Sequence, residues 1–229
     1  MILSRRARRL LEQGTHPAHM MERSSIVAAL EQAGLPVFEP VIAFQQHFGG
    51  ITYRVNGCRG RMSLGLFQPE IFGFTPDGQH YYFECFTHGT AQLHFYLGED
   101  GTMYVDERFP APVAIASSIE KYLESEAVVN ELIDLSFQWW SPLGEVAQDD
   151  TRLRKQLDLP VIAQASDAYT TWWGNDRIRV VQQVFWSKGL PQHHRAFYAR
   201  TKADAQRFRD SLRNVLDRRV LSSPFDPWP

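Results

Sequence analysis

The side chains of this chain that are able to do chemistry come mostly in pairs. Glu99-Asp100, Asp106-Glu107 and Asp149-Asp150 are adjacent carboxylates. Such a pair does acid–base work when burial or a like charge raises the pKa of one member. All three stand among turn-forming residues, where water keeps both members ionised, so they read as charged loop surface rather than as catalytic dyads. His16-Pro17-Ala18-His19 offers two imidazoles to a metal but no third ligand nearby in sequence. His193 and His194 fall on opposite faces of any strand that carries them, so one ion cannot take both without distortion. The chain has no GxGxxG, phosphate-binding loop, GxSxG elbow or HExxH. The expectation is a protein with no catalytic residues, no cofactor and no metal.

A second constellation lies near the C-terminus. Tyr169, Trp172, Trp173, Phe185, Trp186, Phe197 and Tyr198 interleave with Arg177, Arg179, Arg195 and Arg200. An aromatic sheet bearing basic side chains can stack unpaired bases and hold their phosphates. On that reading Arg177, Arg179, Arg195 and Trp186 would contact nucleic acid. Alternation along a strand sends about half of the rings into a core, so packing competes with stacking for the same residues.

Charge gives a third clue. The 229 residues carry a net charge of only −2, but this is a cancellation. Residues 1–24 hold five Arg and two Glu, residues 25–150 five Lys/Arg and seventeen Asp/Glu, and residues 151–229 fourteen and seven, giving +3, −12 and +7. An acidic stretch of that size repels nucleic acid and steers a basic protein toward it. The 44% hydrophobic and 22% charged composition is that of a folded globular chain. No apolar run nears the roughly 18 residues that cross a bilayer, and Leu10-Leu11 is too short for a signal peptide. With two cysteines outside any CxxC, Cys58 in a Gly/Arg loop and Cys85 in an apolar run, the expectation is a reduced, cytoplasmic protein without a membrane partner.

The elements that must position these residues follow from periodicity and turn chemistry. Ser24 or Ser25 caps a helix through Ile26, Val27, Leu30 and Ala33, with Gly34 as its stop. A second helix carries Val41, Ile42, Phe44 and Phe48 into Gly49-Gly50. From Ile51 to Val105, short β-branched and aromatic runs end at Asn56-Gly57, Pro76-Asp77-Gly78, His88-Gly89 and Glu99-Asp100-Gly101, predicting an antiparallel meander of four to six strands. Ser117-Ser118-Ile119-Glu120 matches a capping box, with Ser117 as the cap, and opens a helix to about Leu135. Three further strands, Val161–Trp173, Arg177–Trp186 and His193–Arg200, precede a helix opened by Thr201-Lys202-Ala203-Asp204. The fold class is therefore α+β, an antiparallel sheet flanked by helices followed by a smaller β-β-β-α unit. The divisions are a basic N-terminal arm at 1–23, an α+β domain at 24–140, a connector at 141–160, the C-terminal unit at 161–221 and a Pro-rich tail at 222–229.

Residues 24–133 resemble the SUKH superfamily, known from bacterial immunity proteins and from a yeast regulator of cell-wall synthesis. The likeness is carried by Leu35-Pro36, by Phe44 to Phe48 running into Gly49-Gly50, by the strands flanking Gly98 to Gly101, and by Val113-Ala114-Ile115-Ala116-Ser117-Ser118 leading into a helix with Tyr122 and Leu123. The Arg-rich start and the C-terminal unit lie outside it. The resemblance implies a non-enzymatic immunity protein that binds and blocks a cognate polymorphic toxin, a nuclease or another nucleic-acid-modifying enzyme. The acidic stretch suits the basic groove of such a toxin. Glu99, Asp100, Asp106 and Glu107 are then the expected charged anchors, with Trp139 and Trp140 as aromatic ones. A nucleic-acid-binding module built on the C-terminal sheet is the alternative.

Overall fold

The computed structural model describes residues 3–54, 61–64, 72–74, 80–88, 94–106, 112–132, 137–142, 155, 158–187 and 190–213. The chain divides into two compact units, Met1–Asn130 and Glu131–Pro229. The α+β class holds in both.

In the first unit, α1 (Arg5–Glu12), α2 (Arg23–Gln32) and α3 (Glu39–Phe48) precede a run of strands: β1 (Thr52–Arg54), β2 (Arg61–Leu64), β3 (Phe72–Phe74), β4 (Tyr81–His88), β5 (His94–Gly98), β6 (Met103–Asp106) and β7 (Val113–Ala116). Helix α4 (Ile119–Glu131) follows. The sheet is antiparallel in the order β1-β2-β4-β5-β6-β7 with β3 beside β4, six of its seven strands among the described residues coming from the stretch read as a meander and β7 following it. The long strand β4 takes β3 against Tyr81–Phe83 and β2 against Phe86–His88, so two short strands share one of its edges. The β4–β5 register shifts between Glu84 and Phe86, at Cys85.

Alternation sets the core face. Phe83, Leu97, Met103, Phe95, Val105 and Ala116 are buried, and α3 and α4 pack on this side through Phe44 against Phe83 (ring centroids 6.1 Å apart) and Tyr122 against Phe95 (5.7 Å). Each such fully buried large side chain contributes about 2 kcal/mol of transfer free energy. The helix boundaries follow local chemistry. Helix α3 stops at Gly49-Gly50, where Gly50 takes φ +83°, a conformation most side chains resist. Helix α4 is capped by Ser118, one residue later than expected, its hydroxyl accepting from Lys121 N at 3.3 Å.

The basic arm at 1–23 is not a solvated tail. Ala7, Leu10 and Leu11 of α1 are buried, and the chain after the helix bridges to β1 through paired Thr15 and Thr52 backbones. Four arginines in eight residues are poor company for a helix N-terminus, and none of the first turn is acidic. The missing anion comes from α4. The Ser4 backbone N–H donates to Glu124 Oε1 at 2.5 Å and the Ser4 hydroxyl to Oε2 at 2.6 Å, while the Ser4 oxygen also accepts from Ala7 N. Glu124, 4% exposed, thus sits at the positive end of α1.

The second unit holds β8 (Phe137–Pro142), β9 (Thr170–Gly174), β10 (Ile178–Ser187), β11 (Leu190–Ala199) and α5 (Lys202–Arg213). Its sheet runs β8-β11-β10-β9, all antiparallel. Phe137–Pro142, assigned by sequence to the end of the first domain and the start of a connector, is instead a fourth strand here, hydrogen-bonded to β11. Only Thr170–Gly174 of the expected Val161–Trp173 strand forms; Val161 touches Trp173 as an isolated bridge, and Ala163–Ala165 is a single 3-10 turn. Helix α5 starts as expected: Thr201 Oγ1 accepts from Asp204 N at 3.0 Å and donates to Asp204 Oδ2 at 2.7 Å. The tail at 222–229 lies outside the described residues.

Two substitutions test how the basic helix is held. Glu124→Ala removes both acceptors of Ser4 and is expected to cost about 2 kcal/mol, with limited proteolysis cutting first between residues 5 and 22. Gly14→Ala puts a Cβ 2.6 Å from the Thr52 carbonyl oxygen and is expected to lower the melting temperature of the first unit by separating Thr15 from β1.

Candidate functional site

Three of the four expected acidic anchors lie among the described residues, at the two ends of the β5–β6 hairpin. Glu99 and Asp100 share the β5–β6 turn, Asp106 ends β6, and Glu107 lies outside the described residues. The turn makes use of its own carboxylates. Asp100 accepts from the Thr102 backbone at 2.8 Å and from its hydroxyl at 2.9 Å, a side-chain-built turn. Glu99 reaches back to His80 Nδ1 at 2.8 Å and keeps 33% of its side chain exposed. Trp139 and Trp140 belong to β8 in the second unit, opposite Phe197 and Ala196. They sit in a different unit from the acids.

What the strands bring together lies on the sheet face opposite α3 and α4. Tyr96 stands between Glu84 on β4 and Tyr104 on β6 in register, and His94 stands opposite Asp106. Tyr82 contacts Tyr96 edge-on (4.8 Å between centroids), His94 stacks on Tyr96 (6.5 Å), and His94 Nδ1 lies 3.0 Å from Glu84 Oε1. The tyrosines are half-buried and His94 is exposed, so this face combines ring area, hydroxyls and an ion-pairing carboxylate. Of the expected anchors it holds the strand position of Asp106 alone.

On the core side, a polar group of a different kind escaped the sequence reading. Tyr122 donates its hydroxyl to Glu126 Oε1 at 3.1 Å, across one turn of α4. Glu126 Oε2 and the Tyr53 hydroxyl are buried with no hydrogen-bond partner among the described residues. Burial pushes the Glu126 carboxyl up to about 7, only partly offset by the Tyr122 hydrogen bond. Burial first, and the Glu126 charge second, push both tyrosine hydroxyls well above their usual range. Cys85 lies beside them, fully buried, donating to the Phe95 carbonyl at 3.4 Å with its sulfur 4.0 Å from that of Met103. Cys58 is outside the described residues. An acid at the centre of an apolar stripe, four residues after Tyr122, was the available signal.

In the second unit the expected nucleic-acid residues separate by burial. Arg177 is exposed at the β9–β10 turn, whereas Arg195 is 3% exposed. The Arg195 guanidinium lies over the Trp173 ring (5.9 Å to the centroid) and donates to Gln182 Oε1 at 2.7 Å. Arg179 is mostly covered, with 13% of its side chain exposed. Trp186 lies on β10, opposite Pro191. Trp172, Trp173, Phe197 and Tyr198 are all buried, with Phe197 against Phe208 of α5. Rings at these positions pack the interior, which leaves Arg177 as the accessible cation of the expected set. His16 uses its Nε2 on the Leu11 carbonyl (3.0 Å), and no three His, Cys, Asp or Glu side chains converge on a metal position among the described residues. No helix of the described residues is long and apolar enough to cross a membrane.

All six tryptophans, Trp139, Trp140, Trp172, Trp173, Trp186 and Trp228, lie in the second unit, so indole fluorescence reports on it alone. Arg195→Ala strips the cation from Trp173 and leaves Gln182 Oε1 without this donor; unfolding followed by that fluorescence is expected to lose about 2 kcal/mol. No family model matches this chain, and neither a curated protein nor a solved structure matches it.

Proposed function

We propose that the chain is a non-enzymatic binding protein of the toxin-immunity kind, whose first unit grips a basic protein partner. The contact is made by the sheet face opposite α3 and α4. The observation that carries this reading is the clustering of Tyr82, Tyr96 and Tyr104 with Glu84 and His94 on that face. Tyrosine supplies large contact area with few rotatable bonds, and a carboxylate at its edge selects cations. The anchor set thus moves from the β5–β6 turn, whose Asp100 is committed to Thr102, to the strands beside it.

Counted by unit, the charge of the first unit keeps its negative sign but is much smaller than that of residues 25–150. Met1–Asn130 holds ten Lys/Arg and fourteen Asp/Glu, net −4, and Glu131–Pro229 holds fourteen and twelve, net +2. The acid-rich stretch after Asn130 belongs with the basic unit, and the arginines of α1 belong with the acidic one. Affinity therefore rests on the aromatic cluster more than on a long-range field.

The test is mixing the purified chain with the product of the gene adjacent to its own. A complex on size-exclusion chromatography and protection of growth against that product are expected. Tyr96→Ala with Tyr104→Ala should weaken the complex by about tenfold to a hundredfold with an unchanged far-UV spectrum. Absence of both complex and protection overturns the reading. A salt-dependent shift of single-stranded RNA or DNA, lost in Arg177→Ala, would replace it with nucleic-acid binding.

A further inference from the structure

Helix α4 is the element that leads from the first unit into the second, and its polar contacts to the core cluster one turn before the division at Asn130 and Glu131. Glu126 faces Tyr122 from its own helix and Tyr53 from β1, two phenols whose hydroxyls burial pushes well above their usual range, and Cys85 of β4 lies beside those two rings. One carboxyl oxygen has the Tyr122 hydroxyl; the other is buried without a hydrogen-bond partner among the described residues, as is the Tyr53 hydroxyl. A neutral carboxyl costs far less than a charged one in such a place. An ionised one has a single donor for two oxygens among the described residues, away from water.

We propose that Glu126 is a proton-dependent latch that holds the C-terminal half of α4 against the sheet when protonated and loosens it when ionised. The direction of the pH effect follows from linkage. The folded-state carboxyl titrates near 7, above its unfolded value, so the folded state binds the extra proton. The stability it confers is complete below the unfolded carboxyl range and is lost as pH rises through about 7. Near neutral pH the helix thus sits on the steep part of its own titration, and the loosening falls where the chain passes from one unit to the other.

Hydrogen exchange of the full chain, read by mass spectrometry on peptides covering 119–131 and corrected for the intrinsic pH dependence of exchange, measures the opening directly. Between pH 6 and pH 8 the opening equilibrium of these peptides is expected to rise about tenfold, the ratio that a carboxyl moved up to about 7 imposes. In Glu126→Gln, which cannot ionise, the rise should vanish, while indole fluorescence of the second unit stays unchanged between the two pH values in both proteins. An equal rise in wild type and Glu126→Gln overturns the proposal. If Glu126→Gln does not fold, Tyr122→Phe decides: it removes the donor that favours the ionised form, so the midpoint of the pH-dependent opening should move up. An unmoved midpoint overturns the latch.

Discussion

Helix α4 carries two carboxylates into the interior of the first unit, and the cost of taking a charge out of water governs what its neighbours supply. Glu124 meets a backbone N–H, a hydroxyl and the positive end of a helix dipole. That arrangement turns an arginine-rich octapeptide, which has little reason to be helical alone, into a packed element with Ala7, Leu10 and Leu11 inside. Glu126, two residues on, meets one hydroxyl and otherwise apolar or neutral groups. One helix therefore uses the same side-chain chemistry for two ends: one acid clamps a neighbouring element, and the other is left sensitive to its proton.

Much of the first unit was legible in the sequence because local signals agreed with one another. Gly34 and Gly49-Gly50 end helices whose apolar spacing already marks one face, and Glu99-Asp100-Gly101 separates β5 from β6 as its turn chemistry requires. Helix α1 was not legible because its partner is more than a hundred residues away, on α4. Strand β8 was not, because Phe137 and Trp139 alternate with Gln138 and Trp140, which gives large rings at positions on both faces and blurs the period of two. Glu126 was hidden by residue type: a glutamate on a helix reads as solvent-facing until the packing around it is known.

The charge division shows how a sequence average misleads when its windows do not match the units. The five acids between residues 131 and 150 fall with the basic C-terminal strands and α5, so each unit neutralises most of its own excess. Part of the aromatic–arginine interleaving of the second unit has a similar resolution, since the buried Arg195 guanidinium packs over the buried Trp173 ring. Trp172, Trp173, Phe197 and Tyr198, residue types suited to recognising a ligand, are packed inside the unit.

The pairing of β8 with β11 has a consequence for how the second unit is made. Within that unit β8 is the earliest strand to leave the ribosome, yet its partner is the latest, while β10 and β11 close on each other as a hairpin at once. A tryptophan-rich segment with open backbone donors and acceptors must wait through the synthesis of the whole sheet before its edge is matched, a high-contact-order closure of the kind that slows folding and exposes strands to mispairing. Dividing the chain after residue 140 would make that wait permanent by severing the strand from its sheet, whereas a cut at Asn130 leaves each sheet with all of its strands.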